Sequence, residues 1–192
     1  RPDSKLGVAD TYLGEGSSEA LVLAIAEYKE FLSFYPTNPR ADYAQLKLGV
    51  AHFRQMRAPQ RDQTETQEAI KEFEIFISRY PKSAFMSECQ GQLRIARNRL
   101  GDANYQVGYF YFRQRWYPGA VDRFKELLKN DPAYGGRDAV YFYLGESLLK
   151  EKRQVEALPY YERLVDEFHE SEHLAAARKR ISELKAAPPT AS

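Results

Sequence analysis

The chain has 192 residues, with 28 Lys and Arg against 27 Asp and Glu and a net charge of +1. That length is enough for one sizeable domain or two small ones, and the balance excludes a protein that tracks phosphates through a broad basic excess. No apolar run approaches the length of a membrane-spanning helix. No basic-then-apolar leader opens the chain, which leaves a cytosolic protein or a mature or trimmed form of an exported one. The single cysteine, Cys89, excludes an internal disulfide and a multi-cysteine metal site; it is expected to be a small buried residue and not a nucleophile. The clusters Arg94, Arg97, Arg99 and Arg178, Lys179, Arg180 read as solvated helix faces.

The first predicted element is an apolar stretch around Leu6-Gly7. After GEGSSE comes AIAEYKEFLSFYP at 24–36. The second pair is the stretch around Leu48-Gly49 and, after RAPQRDQTETQ, AIKEFEIFISRYP at 69–81; Thr64-x-x-Gln67 fits a capping box for that helix. Residues 84–115 read as an extended helix, with Gly101-Asp102 as a candidate break, and it carries Val107-Gly108. AVDRFKELLKNDP follows at 120–132. The fourth pair is Leu144-Gly145 and ALPYYERLVDEFH at 157–169. Residues 172–186 read as a capping helix and 188–192 as a disordered tail.

The four second helices share one register. Each starts with Ala24, Ala69, Ala120 or Ala157 and has an aromatic four residues on, at Tyr28, Phe73, Phe124 and Tyr161. Phe31, Phe76, Leu127 and Leu164 follow at seven. Spacings of four and seven share one helical face. At twelve stand Pro36, Pro81 and Pro132, which stop a helix, with His169 in the fourth place. A glycine recurring inside helix-forming stretches, at about 1 kcal/mol relative to alanine, implies a packing reason: two helices that cross closely.

This combination resembles the tetratricopeptide repeat, whose pattern runs L-G, A-x3-F, P. The implied fold is an all-α solenoid of about four helix–turn–helix repeats with one extended helix and a C-terminal capping helix. It forms one domain over 1–187, with repeats at roughly 3–38, 40–83, 84–133 and 136–170 and the cap at 172–186. Gly108 to Ala120 and Gly145 to Ala157 keep the repeat's spacing of twelve, whereas the first two repeats carry five and eight extra residues between their helices.

The stretch YQVGYFYFRQRWYPG, 105–119, is the richest in aromatics. Val107, Gly108 and Tyr111 occupy the face expected to pack on neighbouring helices. Tyr105, Tyr109, Phe112 and Trp116 form a second stripe, at i, i+4, i+7 and i+11. That stripe is expected either to be buried against the helix 84–100 or to line a partner groove, the place it takes in the repeat family. Phe110 and Tyr117 point elsewhere.

His169-Glu170-Ser171-Glu172-His173 is a literal HExxH, which on a continuous helix binds zinc with the Glu as general base. Here His169 stands where the other repeats end a helix, so the motif straddles a turn, and the remaining histidine, His52, lies in another repeat. A zinc hydrolase is the remote alternative. No catalytic residues, metal ligands or cofactors are expected.

Residues 61–64 (RDQT), then Ala69, Phe73, Arg79-Tyr80-Pro81-x-Ser83, Arg97-Asn98-Arg99-Leu100, Val107, Tyr111 and Ala120-x-x-Arg123 resemble the outer-membrane protein assembly factor BamD family over roughly residues 3–170. The resemblance implies a non-catalytic periplasmic scaffold of the β-barrel assembly machine, held at the outer membrane by a lipid anchor. It would bind a BamA-like barrel protein, other assembly-machine lipoproteins and unfolded outer-membrane protein segments, and no nucleic acid. Arg123 matches an arginine that contributes to the barrel-protein contact, so its expected role is a charge pair with a partner carboxylate. The alternative is another envelope tetratricopeptide scaffold, in cell division or export. Two departures stand out: the family's lipid-modified cysteine does not appear, and four repeats stand where the family has five. An N-terminal portion is therefore expected to be missing, and no residues are carried over for substrate recognition.

Overall fold

The computed structural model describes residues 1–186; the predicted tail, 188–192, lies outside them. The described residues form α1 (Pro2–Glu15), α2 (Ser18–Phe34), α3 (Ala41–Phe53), α4 (Thr64–Arg79), α5 (Met86–Arg113), α6 (Tyr117–Asn130), α7 (Arg137–Lys150), α8 (Gln154–Glu167) and α9 (Leu174–Ala186). Among them no helix is long and apolar enough to cross a membrane. The chain divides into two compact units, residues 1–100 and 101 onward. The division falls inside α5, which runs unbroken through Gly101-Asp102.

The prolines act where the sequence places them. A residue before proline is driven out of the helical region, and Tyr35 (φ −129°, ψ 53°), Tyr80 (φ −126°, ψ 55°) and Asp131 (φ −140°, ψ 81°) end α2, α4 and α6 in this way. Phe168 ends α8 in the same conformation, φ −128° and ψ 77°, with His169 following instead of proline.

The repeating alanines and aromatics build the cores. In the first unit Ala24, Tyr28 and Phe31 are fully buried with Leu6 and Ala9, and Ala69, Phe73 and Phe76 with Leu46 and Cys89. In the second, Ala120, Phe124, Ala157, Tyr161 and Leu164 are fully buried with Leu144 and Leu148. Each large side chain so buried contributes about 1.5–3 kcal/mol. Cys89 Sγ lies 3.5 Å from the Phe73 carbonyl oxygen, and burial pushes the thiol up to about 11, so it is inert.

Three of the four repeat glycines are close-approach residues. A Cβ on Gly49, Gly108 or Gly145 would stand 2.5, 2.6 or 2.6 Å from the ring of Phe73, Phe124 or Tyr161. Gly7 departs from the expectation. A Cβ there would meet open space, and the face turned to α2 is Leu6, Ala9 and Leu13. Gly101, the candidate break, serves packing instead: a side chain would run into the Tyr134 ring, whose hydroxyl donates to Asp102 Oδ1 at 2.5 Å.

The extra residues of the first two repeats are used differently. In the first they lengthen the helices, and the turn is only Gly16-Ser17, with Gly16 left-handed at φ 73° and Ser17 Oγ accepting from Ala20 N at 3.1 Å. In the second they form the loop 54–63. The capping box expected at Thr64-x-x-Gln67 is absent, because Thr64 already lies inside the helix; Asp62 Oδ1 accepts from Thr64 N at 2.6 Å instead. The loop is tied down by Arg54 Nη1 donating to the Leu13 carbonyl at 2.5 Å and Arg99 Nη1 to the Arg57 carbonyl at 2.6 Å.

Candidate partner-binding surfaces

The aromatic stretch is split by the way α5 ends. The helix stops at Arg113, and Arg115 turns left-handed at φ 61°. Arg115 N then donates to Phe112 O at 3.0 Å and Trp116 N to Tyr111 O at 2.9 Å. This is a Schellman closure, in which the residue after the turn packs on the residue five before it: the Trp116 and Tyr111 rings meet edge-on at 4.7 Å. The same closure ends α7, with Lys152 at φ 60° and Arg153 N donating to Leu148 O at 2.9 Å. A side chain in the left-handed region costs about 1–2 kcal/mol relative to glycine. Arg115→Gly is therefore expected to raise stability by about 0.5–1 kcal/mol after glycine's greater unfolded freedom is subtracted, read as a higher thermal midpoint.

Two surfaces of different character result, both in the second unit. On α5, Tyr105, Tyr109 and Phe112 share one face, and Val107, Phe110 and Tyr111 lie about 180° around the helix from it. Trp116, predicted to extend the Tyr105 stripe, is carried to the second face by the Arg115 turn. There it packs over Gly119 yet stays 56% exposed. Phe110 is 57% exposed and Val107 37%, so Val107 is not the packing residue expected of it. Two turns along α6 from Trp116 stands Arg123. Its guanidinium is exposed, with Glu126 Oε2 at 4.0 Å, an ion pair too loose and solvated to hold it. Nothing in the spacing marks Phe110 as a surface residue, since the i, i+3 relation to Val107 puts it beside a face expected to pack.

The first face continues onto the next repeat. Tyr105 and Tyr109 stack at 5.8 Å, Tyr109 meets Tyr143 of α7 at 4.9 Å, and Phe112 meets Tyr143 at 5.1 Å. Tyr143 meets Phe142 at 5.1 Å, and Phe142 stacks on His173 at 4.7 Å. All are partly buried. The stripe cannot pack on 84–100, because those residues belong to the same unbroken helix; its neighbour is α7. It is thus half core and half surface, a row of rings running from α5 across α7 to the start of α9. Burial and the adjacent Tyr109 push the Tyr143 phenol up to about 12.

The HExxH residues occupy the α8–α9 turn, with His169 after the end of α8 and His173 before the start of α9. Ser171 Oγ donates to Asp138 Oδ2 at 2.5 Å and accepts from His173 N at 3.1 Å. Ser83 does the same for Asp42 (2.6 Å) and Phe85 N (3.1 Å) in the α4–α5 turn. The sequence around 169–173 is therefore a repeat turn. Among the described residues no group of three or more His, Cys, Asp or Glu side chains is placed to hold a metal.

Comparison with known proteins fits this geometry. The family described as "YfiO: Outer membrane lipoprotein" matches residues 3–147. The chain belongs to this family. A second family, "Tetratricopeptide repeat", matches residues 139–171. With the paired helices above, the fold is all-α and tetratricopeptide-repeat. The outer membrane protein assembly factor BamD of Caulobacter vibrioides is 25% identical over 138 residues, 72% of this chain and 44% of that protein. BamD of Vibrio cholerae is 26% identical over 125 residues, 60% of this chain and 52% of that protein. The chain spans about half the length of the curated relatives it matches. A solved tetratricopeptide repeat protein from Parabacteroides merdae aligns at 16% identity and a TM-score of 0.36, covering 96% of this chain and 73% of that one. Family membership puts the chain at the periplasmic face of the outer membrane.

Proposed function

We propose that the chain is a non-catalytic scaffold in outer-membrane protein assembly. It docks the periplasmic part of a BamA-like barrel protein through Val107, Phe110, Trp116 and Arg123, and presents the row Tyr105, Tyr109, Phe112 and Tyr143 to a further partner segment. One observation carries this reading. Trp116 and Phe110, which both meet the Tyr111 ring, are each more than half exposed, and an arginine with no firm partner of its own stands two turns along α6 from Trp116; monomeric proteins rarely leave large aromatics grouped in water. Trp and Arg are also the residue types that dominate binding energy at interfaces. The names of the relatives, all assembly factors, support the same role. Unfolded outer-membrane protein segments and other assembly lipoproteins are the remaining partners of this reading.

The test is capture of the chain by the periplasmic domains of the same organism's barrel protein. Arg123→Glu is expected to weaken capture about tenfold by setting like charges together, with helicity unchanged. Trp116→Ala is expected to weaken it by about 2 kcal/mol. Absence of capture by the unaltered chain sinks the proposal.

A further inference from the structure

The row of rings from Tyr105 to His173 differs from the rings of Tyr43, Tyr141 and Phe168 in what covers it, and from the Trp116 surface in being edged by carboxylates. Three other rings of this chain carry cations of its own. Arg40 and Lys47 lie over Tyr43 at 4.9 and 5.4 Å, Arg137 over Phe168 at 5.1 Å, and Arg163 over Tyr141 at 4.8 Å. Among the described residues no guanidinium or ammonium lies over Tyr105, Tyr109, Phe112, Phe142 or Tyr143, although these form the longest run of touching rings.

Carboxylates edge this run instead. Glu172, with 86% of its side chain exposed, adjoins the ring-stacked His173. Asp138 is held by the Ser171 hydroxyl one residue away. Glu146 lies on the same helix as Tyr143. The Tyr105 phenol is pushed up by burial first, then by Tyr143 and Tyr109, with Asp138 and Glu172 adding to it, which places both carboxylates within electrostatic range of the rings. Arg180 of α9 is spent: its Nε and Nη2 donate to Glu146 at 2.8 and 2.9 Å and its Nη1 to Glu183 at 3.1 Å. Arg113, which follows Phe112, and Lys150 stand exposed at the C-terminal ends of α5 and α7, and neither lies over these rings.

A ring face carries negative potential and attracts a cation within about 6 Å of its centroid, arginine most often. Nearby carboxylates strengthen that attraction. We propose that this row is a guanidinium-binding surface: an arginine of an extended partner segment lies over the Tyr109 and Tyr143 rings, with Glu172 and Asp138 supplying the counter-charge. This rests on the reading of the row as a partner surface and names the chemistry of the segment that it takes.

The test uses the full chain and three capped peptides: Gly-Arg-Gly-Arg-Gly, the same peptide with citrulline for arginine, and a Gly-Pro-Pro-Pro-Gly control. Ring resonances of Tyr105, Tyr109 and Tyr143 are followed by NMR. The arginine peptide is expected to shift all three and to bind about tenfold tighter than the citrulline peptide, which has the same shape without the charge. Glu172→Gln, at an exposed position that leaves packing intact, is expected to cut that advantage about threefold. Tyr109→Leu is expected to abolish it. Equal or tighter binding of the citrulline or proline peptide makes the row an ordinary apolar groove and overturns the proposal, as does an arginine peptide that shifts none of the three rings. No assembly partner is present, so failure here leaves capture through Arg123 standing, and loss of that capture leaves this result standing.

Discussion

Replacing Gly145 with alanine will destabilise the second unit by about 2 kcal/mol, whereas the same change at Gly7 will stabilise the first. Both glycines follow a leucine in the same local pattern, and both lie inside helices, where alanine is intrinsically better by about 1 kcal/mol. Their surroundings reverse the sign. A Cβ on Gly145 would stand 2.6 Å from Tyr161 Cζ and 2.9 Å from its two Cε atoms. The ring cannot step aside, because Tyr161 is fully buried and its hydroxyl donates to Glu146 Oε1 at 2.7 Å, a carboxylate that also holds Arg180. Overpacking a site of this kind costs about 1–3 kcal/mol and can exceed that where the neighbour is pinned. Around Gly7 nothing lies within 4 Å, so Gly7→Ala keeps the full helix gain. Thermal unfolding followed by circular dichroism reads both: a midpoint lower by about 4–8 °C for Gly145→Ala and higher by about 2–3 °C for Gly7→Ala. Shifts of the same sign would refute the close-crossing account of the glycine pattern. Gly49→Ala and Gly108→Ala fall on the destabilising side, with a smaller cost, because Phe73 and Phe124 carry no hydroxyl to fix them.

The same contrast marks what is legible in the sequence. The alanine, aromatic and proline register of α2, α4, α6 and α8 could be read directly, because a fixed helical period writes one buried face into the spacing of residues. Gly7 could not be separated from Gly145, since the pattern records a small residue and not whether a ring stands over it. Trp116 keeps the i, i+11 spacing of the Tyr105 stripe only while the helix continues. One left-handed residue, Arg115, carries it to the other side, and arginine gives no warning of that conformation as glycine does at Gly16. The insertions were visible as excess length, but whether they extend helices, as between α1 and α2, or form a loop, as between α3 and α4, depends on which backbone groups find partners. Tyr143, which completes the row of rings, lies in the next repeat: no spacing within α5 points to it, and only the packing of α5 beside α7 brings it there.

Alkali is expected to unfold the second unit before the first. Tyr134, Tyr141 and Tyr161 are buried there, and in each the phenol is pushed up from its ordinary value chiefly by burial. All three hydroxyls donate to carboxylates, Tyr134 to Asp102, Tyr161 to Glu146 and, more loosely, Tyr141 to Glu167 at 3.2 Å, which a phenolate oxygen would repel. For Tyr141 the guanidinium groups of Arg137 and Arg163 pull the other way, so its resistance is weaker. A group whose folded pKa lies above its unfolded one contributes stability in full below the unfolded value, near 10 for tyrosine, and loses it as pH rises through the folded value. Over that window each pH unit costs about 1.4 kcal/mol per tyrosine held neutral, so three together remove about 4 kcal/mol per unit. Against a domain stability of about 5–15 kcal/mol, that is exhausted within roughly one to four units above pH 10. The first unit has one fully buried phenol donating to a carboxylate, Tyr28, to Asp10 Oδ1 at 2.5 Å, with Tyr43 and Tyr80 pushed up at partly buried positions, and so loses stability more slowly. In an alkaline titration, tyrosinate absorbance of the exposed phenols should rise smoothly around pH 10. That of the buried ones should appear abruptly together with loss of helicity, in two steps if the units unfold independently. A smooth rise of all fourteen tyrosines with helicity intact would show that the buried hydroxyls ionise in place, and would remove the Tyr–carboxylate pairs from the account of what holds each repeat together.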